Sequence, residues 1–161
     1  MGSKRLTPGP RYEALVQLLQ TADTLWSASR VLFNRWGLNP SAFNILYLLE
    51  GEPEGLTQIE LSRRLLMHRS NVTGLVDRME ARGLVERRES PGDRRAYQVV
   101  LAADGAKLLR RILPVYYEVA EQVWGRLSLD RTRRLVEDLA EVSARTERIA
   151  ASMTGQLPAK G

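Results

Sequence analysis

The strongest constraint on this chain is a change of hydrophobic period in its middle. On either side of residues 84–101, apolar residues recur at spacings of three and four, the pattern of helices that bury one stripe. Between them stand two short β-prone runs, Leu84-Val85-Glu86-Arg87-Arg88-Glu89 and Tyr97-Gln98-Val99-Val100-Leu101. They flank Ser90-Pro91-Gly92-Asp93-Arg94-Arg95-Ala96, in which Pro-Gly-Asp is turn chemistry. A helical stripe has the wrong period for a strand. The chain is therefore expected to be mainly α (α+β), with one antiparallel hairpin that carries arginines at its tip.

The helical segments have readable ends. Residues 11–36 predict a long amphipathic helix with Leu15, Leu18, Leu19, Ala22, Leu25, Trp26, Ser29, Leu32 and Phe33 on its stripe, ended by Gly37 and Pro40. Ser41 to Glu50 predicts a second helix, closed by Gly51-Glu52-Pro53-Glu54-Gly55. Thr57-Gln58-Ile59-Glu60 is a capping box and opens a third helix, through about Leu65. After the turn Leu66-Met67-His68, a fourth runs from about Arg69 to Arg82, with Gly83 placed for a left-handed C-cap. Beyond the hairpin the helical period returns at about Ala103, and Pro114 is expected to kink that helix. Ser128 opens a last helix in which Leu135, Leu139, Val142, Thr146 and Ile149 form a short heptad seam. Residues 1–10 and 153–161 are expected to be flexible.

Composition narrows the function classes. The chain has 161 residues, 43% hydrophobic and 27% charged, enough for one domain or two small units sharing a core. It has no Cys, which removes disulfides, thiolate metal ligands and thiol nucleophiles. A single His nearly excludes His-rich metal sites and His-paired catalytic dyads. Asp93 and Asp104 sit at turns without a nucleophile beside them, and there is no P-loop or G-x-G-x-x-G. No enzyme activity and no cofactor is expected. No apolar run approaches the roughly 18 residues that span a bilayer, so a cytoplasmic protein with no membrane partner is expected.

The net charge of +5 is unevenly placed. Residues 36–60 hold four Glu and no base, whereas residues 61–95 hold nine Arg against five acids. Of the 24 basic residues 21 are Arg, whose planar fork matches phosphate oxygens and base edges. Two short helices joined by a tight turn and followed by a hairpin make a winged helix-turn-helix. On the fourth helix Val72, Leu75, Val76 and Met79 share one face. Arg69, Ser70, Asn71, Thr73, Gly74, Asp77 and Arg78 fall on or near the opposite one. Short polar groups near a helix N-terminus let its backbone approach a major groove, where Asn or Arg reaches base edges. Arginines at a hairpin tip suit the negative potential of a narrow minor groove. Double-stranded DNA is the expected partner; the alternative is a winged helix that binds protein or RNA.

At these residues the chain resembles the MarR (multiple antibiotic resistance regulator) family. The likeness is carried by Asn71 through Arg87, then Asp93-Arg94-Arg95 and Val99-Val100-Leu101, and extends in helix order over about residues 11–152. The resemblance implies a homodimeric transcription regulator, usually a repressor, on a pseudo-palindromic operator. It implies that residues 11–36 and 103–152 form a helical dimerisation region and residues 40–101 the DNA-binding domain. The recognition helix would be about 69–82 and the wing 84–101. Asp93 and Arg95 match the family's D-x-R wing pair, so Arg95 would enter the groove, with Arg94 on phosphate or groove beside it. A small aromatic or phenolic effector is implied in a crevice where dimerisation and DNA-binding parts meet, with Trp26, Trp36, Phe43, Asn44, Tyr47, Tyr116 and Tyr117 as candidate lining. Two positions depart from the pattern. His68 stands where the family commonly has Asp before the recognition helix, a weaker N-cap. Ala102 replaces a frequent Thr, which leaves Asp104 as the expected cap of the fifth helix.

Overall fold

Several helices begin where the sequence offers a side chain to their unpaired amides. A computed structural model describes residues 9–65, 67–90 and 93–156, with the backbone alone at residues 90, 93–96 and 154–156. Its elements are α1 (Pro10–Asn34), α2 (Pro40–Glu50), β1 (Leu56–Thr57), α3 (Gln58–Arg64), α4 (Arg69–Ala81), β2 (Val85–Ser90), β3 (Asp93–Leu101), α5 (Ala103–Trp124) and α6 (Leu129–Gln156). The capping box forms as its residues predict. The Glu60 amide donates to Thr57 Oγ1 at 3.3 Å, and the Thr57 amide donates to Glu60 Oε2 at 2.7 Å. Asn39 Oδ1 accepts from the Ala42 amide at 2.8 Å, and Ser128 Oγ accepts from the Arg131 amide at 3.4 Å.

Several boundaries differ from the sequence reading, each for a local reason. Pro40 does not end the first helix but opens the second, because its fixed φ and missing N–H suit the first helical turn. The first helix stops at Asn34, and Gly37, at φ +63°, lets the Leu38 amide reach back to the Phe33 carbonyl at 3.2 Å. Asp104 is not the cap of α5. That helix starts at Ala103, and the Ala102 carbonyl takes its first bond, from the Ala106 amide at 2.9 Å. Asp104 sits inside the first turn, where its charge suits the helix dipole, and pairs with Lys107 at 2.9 Å. α5 continues as helix through Pro114. α6 continues past Ser152 to Gln156, carried by the helix formers Ala150, Ala151 and Met153, so residues 153–156 belong to the helix. Pro10 likewise already belongs to α1; residues 1–8 and 157–161 lie outside the described residues.

The hairpin is longer than its composition suggests. β2 and β3 pair antiparallel from Val85↔Leu101 to Ser90↔Asp93, with an irregularity between Glu89 and Ser90. Asp93 through Ala96 thus lie in the strand rather than in the turn. A third strand, β1, pairs Leu56 with Val99 and Thr57 with Gln98, giving the sheet order β1-β3-β2. Its two residues are too few to show any period.

The chain divides into two units, one reaching Ile112 and one starting at Leu113. In the first, Ile45, Leu46, Leu61, Val72, Val76, Val99, Leu109 and Ile112 are fully buried, and the Phe33 and Phe43 rings stack at 4.1 Å. At about 1.5–3 kcal/mol for each large apolar side chain removed from water, these contacts hold the sheet, α2, α3, α4 and the start of α5 together. Gly105 marks the tightest approach: a Cβ there would lie 2.0 Å from the Leu84 carbonyl oxygen. The second unit holds the rest of α5, a turn through Gly125 (φ +56°), and α6. Among its described residues none is buried.

Candidate nucleic-acid interface

α4 buries Val72, Leu75, Val76 and Met79 and leaves Arg69, Ser70, Asn71, Thr73, Asp77 and Arg78 exposed, as its periodicity predicts. The structure therefore brings six of the nine candidate DNA-binding residues onto one helix face: Arg69, Ser70, Asn71, Thr73, Gly74 and Arg78. Gly74 keeps that face low because it has no side chain; a Cβ there would make only ordinary contact, 3.6 Å from an Arg78 guanidinium nitrogen. His68 is exposed and does cap the helix, but weakly. Its Nδ1 accepts from the Ser70 amide at 3.4 Å and lies 2.9 Å from the Ser70 hydroxyl. The Thr73 hydroxyl donates to Gln58 Oε1 at 2.7 Å and lies 3.1 Å from the Arg69 carbonyl, which ties α4 to α3.

The start of α2 belongs to the same surface, which the sequence did not suggest. An open hollow of about 310 Å³ is walled by Asn39 and Ser41 on one side and by Ser70, Asn71, Gly74 and Arg78 on the other. The helix end that Asn39 caps thus stands beside the polar front of α4, and helix N-termini favour phosphate oxygens. The remaining three candidates, Asp93, Arg94 and Arg95, start β3 next to the hairpin turn. Their side chains lie outside the described residues.

Two arginines that look like solvated surface in the sequence are fasteners. Arg87 of β2 reaches back to α4, where its guanidinium engages both Asp77 and Glu80, and its backbone amide donates to Glu80 Oε1 at 2.9 Å. Partial burial pulls the Arg87 pKa down, but the hydrogen bonds and charges of Asp77 and Glu80 outweigh it and hold the group above its ordinary value. Arg82, at the end of α4, donates to the Gly37 carbonyl at 2.6 Å and to the Trp36 carbonyl at 3.3 Å. It thereby supplies a cation to the carbonyl end of α1. The signal for Arg87 was present: Asp77 and Glu80 are three apart on one helix, facing the arginine of the following strand. Arg82 acts on carbonyls 45 residues away, for which no local pattern exists.

The candidate effector residues are dispersed. Phe43 is buried in a stack with Phe33 and, at 6.0 Å, Tyr47, while Tyr47 and Trp26 are exposed and Trp36 and Asn44 half-buried. In the second unit Tyr116 lies 6.0 Å from Tyr117. The α1–α2 corner carries another hollow of about 400 Å³, lined by Arg30, Val31, Asn34, Leu38 and Asn39. Among the described residues no helix is long and apolar enough to cross a membrane, and no three His, Cys, Asp or Glu are grouped to hold a metal ion.

Comparison with known proteins identifies the family. The family model described as the MarR family matches residues 36–96, from the end of α1 into the wing. The transcriptional repressor MprA of Escherichia coli is 31% identical over 140 residues, which cover 83% of this chain and 80% of that protein. The chain belongs to the MarR family. As a MarR-family protein it is a DNA-binding transcription regulator, and its curated relatives are transcriptional regulators, not enzymes. Its fold matches the crystal structure of Sco3205, a MarR-family regulator from Streptomyces coelicolor in complex with DNA. That match has a TM-score of 0.76 and 25% identity, covering 88% of this chain and 91% of that one. CouR of Rhodococcus jostii, bound to p-coumaroyl-CoA, has the same MarR fold at a TM-score of 0.75 and 20% identity, covering 84% of this chain and 95% of that one.

Proposed function

We propose that two copies of this MarR-family chain act as a repressor on a pseudo-palindromic operator. Each copy lays α4 in a major groove and sets its wing against the neighbouring minor groove. The observation that supports this best is the exposed face of α4, where short polar side chains and two arginines surround Gly74 beside a capped helix start. Arg69, Ser70, Asn71, Thr73 and Arg78 carry base and backbone contacts there, Arg95, paired with Asp93 in the D-x-R wing motif, enters the minor groove, and Arg94 meets phosphate or groove beside it.

One α4 and one wing read a half-site. Two copies spaced about 34–36 Å apart read successive major grooves, so the reading calls for a homodimer. Residues 11–36 and 103–152 supply it, and residues 40–101 bind DNA. The apolar stripes fit that division: Leu15, Leu19, Leu25 and Trp26 on α1, and Leu135, Val142 and Ile149 on α6, are exposed on the single chain. A small aromatic or phenolic effector releases DNA by binding beside the α1 and α2 candidates Trp26, Trp36, Phe43, Asn44 and Tyr47, and the protein works in the cytoplasm.

Selection of bound sequences from random duplex DNA, repeated at several salt concentrations, tests the reading. The expected result is an inverted repeat, with log K falling linearly in log salt at a slope of about −0.9 per neutralised phosphate. Arg95→Ala should weaken operator binding while sedimentation and melting stay nearly unchanged. Equal affinity for all duplexes and for RNA, or none at low salt, would overturn the operator reading in favour of a protein- or RNA-binding winged helix.

A further inference from the structure

The wing and the recognition helix are useful to a DNA reader only at a fixed mutual distance, because the two grooves they enter are set by the duplex. Both elements are anchored in the core, at Val85 of β2 and at Val72, Val76 and Met79 of α4. Beyond Val85 the wing strand leaves the core. β2 is an edge strand, hydrogen-bonded on one side to β3 alone. Arg87, two residues on and so on the same face of the sheet as Val85, is where the strand is held again. Its guanidinium bridges Asp77 and Glu80 on α4, and its backbone amide donates to the same Glu80 carboxylate. Glu80 thus grips both the main chain and the side chain of the strand. From there to Ser90, where the hairpin turns, is three residues, about 10 Å of extended chain.

We propose that Arg87, with Asp77 and Glu80, is a positioning clamp that fixes the wing against the recognition helix, and that the wing arginine acts on DNA through it. This rests on the reading of Arg95 given above. The bidentate fork matters. One planar guanidinium meeting two carboxylates on successive turns of α4 sets an angle as well as a distance, which a lysine ammonium does not. Asp77 is the informative partner, because it stands on the DNA-facing side next to Arg78. A carboxylate there opposes phosphate, so charge alone predicts that Asp77→Asn tightens binding to every duplex. The clamp predicts the reverse for the operator.

The test is a double-mutant cycle on the full-length protein with the selected operator, with melting and sedimentation recorded for each variant. Asp77→Asn and Arg87→Gln should each lower operator affinity about tenfold. In either background Arg95→Ala should cost much less than it does alone, because a wing no longer held in place has less contact to lose. Hydroxyl-radical footprints should lose the minor-groove protection, while protection of guanine N7 in the major groove from dimethyl sulfate is kept. Arg87→Lys should recover only part of the affinity. Tighter operator binding by Asp77→Asn, or full additivity with Arg95→Ala, would overturn the clamp. If Arg95→Ala alone costs nothing, the wing reading itself fails, a result distinct from additivity. Should Arg87→Gln fold poorly, Asp77→Asn, at an exposed helix position, carries the same test.

Discussion

The region between α2 and the first turns of α5 and the unit from Leu113 onward use apolar residues in opposite ways. In the first, leucines, valines and isoleucines vanish from solvent within one chain, and the helix ends there are capped by Asn39, Thr57 and His68. In the second, Val123, Leu129, Leu135, Val142 and Ile149 are exposed, and no described residue from Leu113 onward is buried. α1 resembles the second region along most of its length and the first only at Phe33. The difference separates what a single chain completes from what it leaves for another surface. On the homodimer reading proposed above, exposed apolar residues at heptad spacing are the surface that a second copy covers.

The sharpest way to break that contrast is to damage each region in turn. Leu61→Ala removes a fully buried side chain and should lower stability by about 2–5 kcal/mol, while the folded fraction still sediments as the parent does. Leu139→Arg, on the α6 seam, should do the opposite. Secondary structure persists, sedimentation shifts from dimer to monomer, and operator affinity falls by about 10²–10⁴-fold as the second half-site contact becomes independent of the first. A fully dimeric Leu139→Arg protein would show that α6 leaves its stripe exposed for some other reason.

Much of the completed region was legible because its rules are local. Thr57-x-x-Glu60 read as a capping box and is one; Gly83 read as a left-handed C-cap and stands at φ +68°. The spacing of Val72, Leu75, Val76 and Met79 among polar neighbours predicts which face of α4 is buried and which is exposed, and the structure agrees. Illegible features depended on a distant partner. β1 exists only because β3 lies beside Leu56, and nothing near Arg82 in the sequence points to Gly37, whose carbonyl it meets. Pro40 was misread because a proline stops one helix and starts the next with the same chemistry. Asp104 was misread because Ala102, a poor cap by composition, sits where the chain leaves β3 with the geometry already set.

Within the recognition face the expected effects are smaller and more selective. Asn71 is exposed on the first turns of α4 and borders the hollow shared with α2. Asn71→Ala should relax specificity at one or two operator positions by about 1–3 kcal/mol, while binding to unrelated duplex changes little. Repeating the sequence selection with the variant checks this. A uniform loss across all sequences would place Asn71 on the phosphate backbone and shift base reading toward Arg69 and Arg78.

The smallest effect lies at the start of α3, where charge rather than packing holds the helix end. The Glu60 carboxyl is held below the usual carboxylate range, first by the hydrogen bond with the Thr57 side chain and then by the Thr57 amide, opposed by burial, with smaller help from Arg64 and Arg63. A carboxylate with a depressed folded-state pKa contributes stability above the ordinary glutamate range, and that contribution disappears as pH falls through the folded-state value. Glu60→Gln keeps an acceptor in reach of the Thr57 amide but removes the charge. At neutral pH it should melt below the parent by the equivalent of about 0.5 kcal/mol, the scale of a charged group in the first turn of an exposed helix. On acidification the two melting curves should converge, because the parent carboxyl becomes protonated and loses the same interaction. A gap that stays constant from neutral pH down through the carboxylate range would mean that shape, not charge, makes Glu60 a cap. The helix-turn-helix would then owe its N-terminal order wholly to the Thr57 hydroxyl and the packing of Leu61 beneath it.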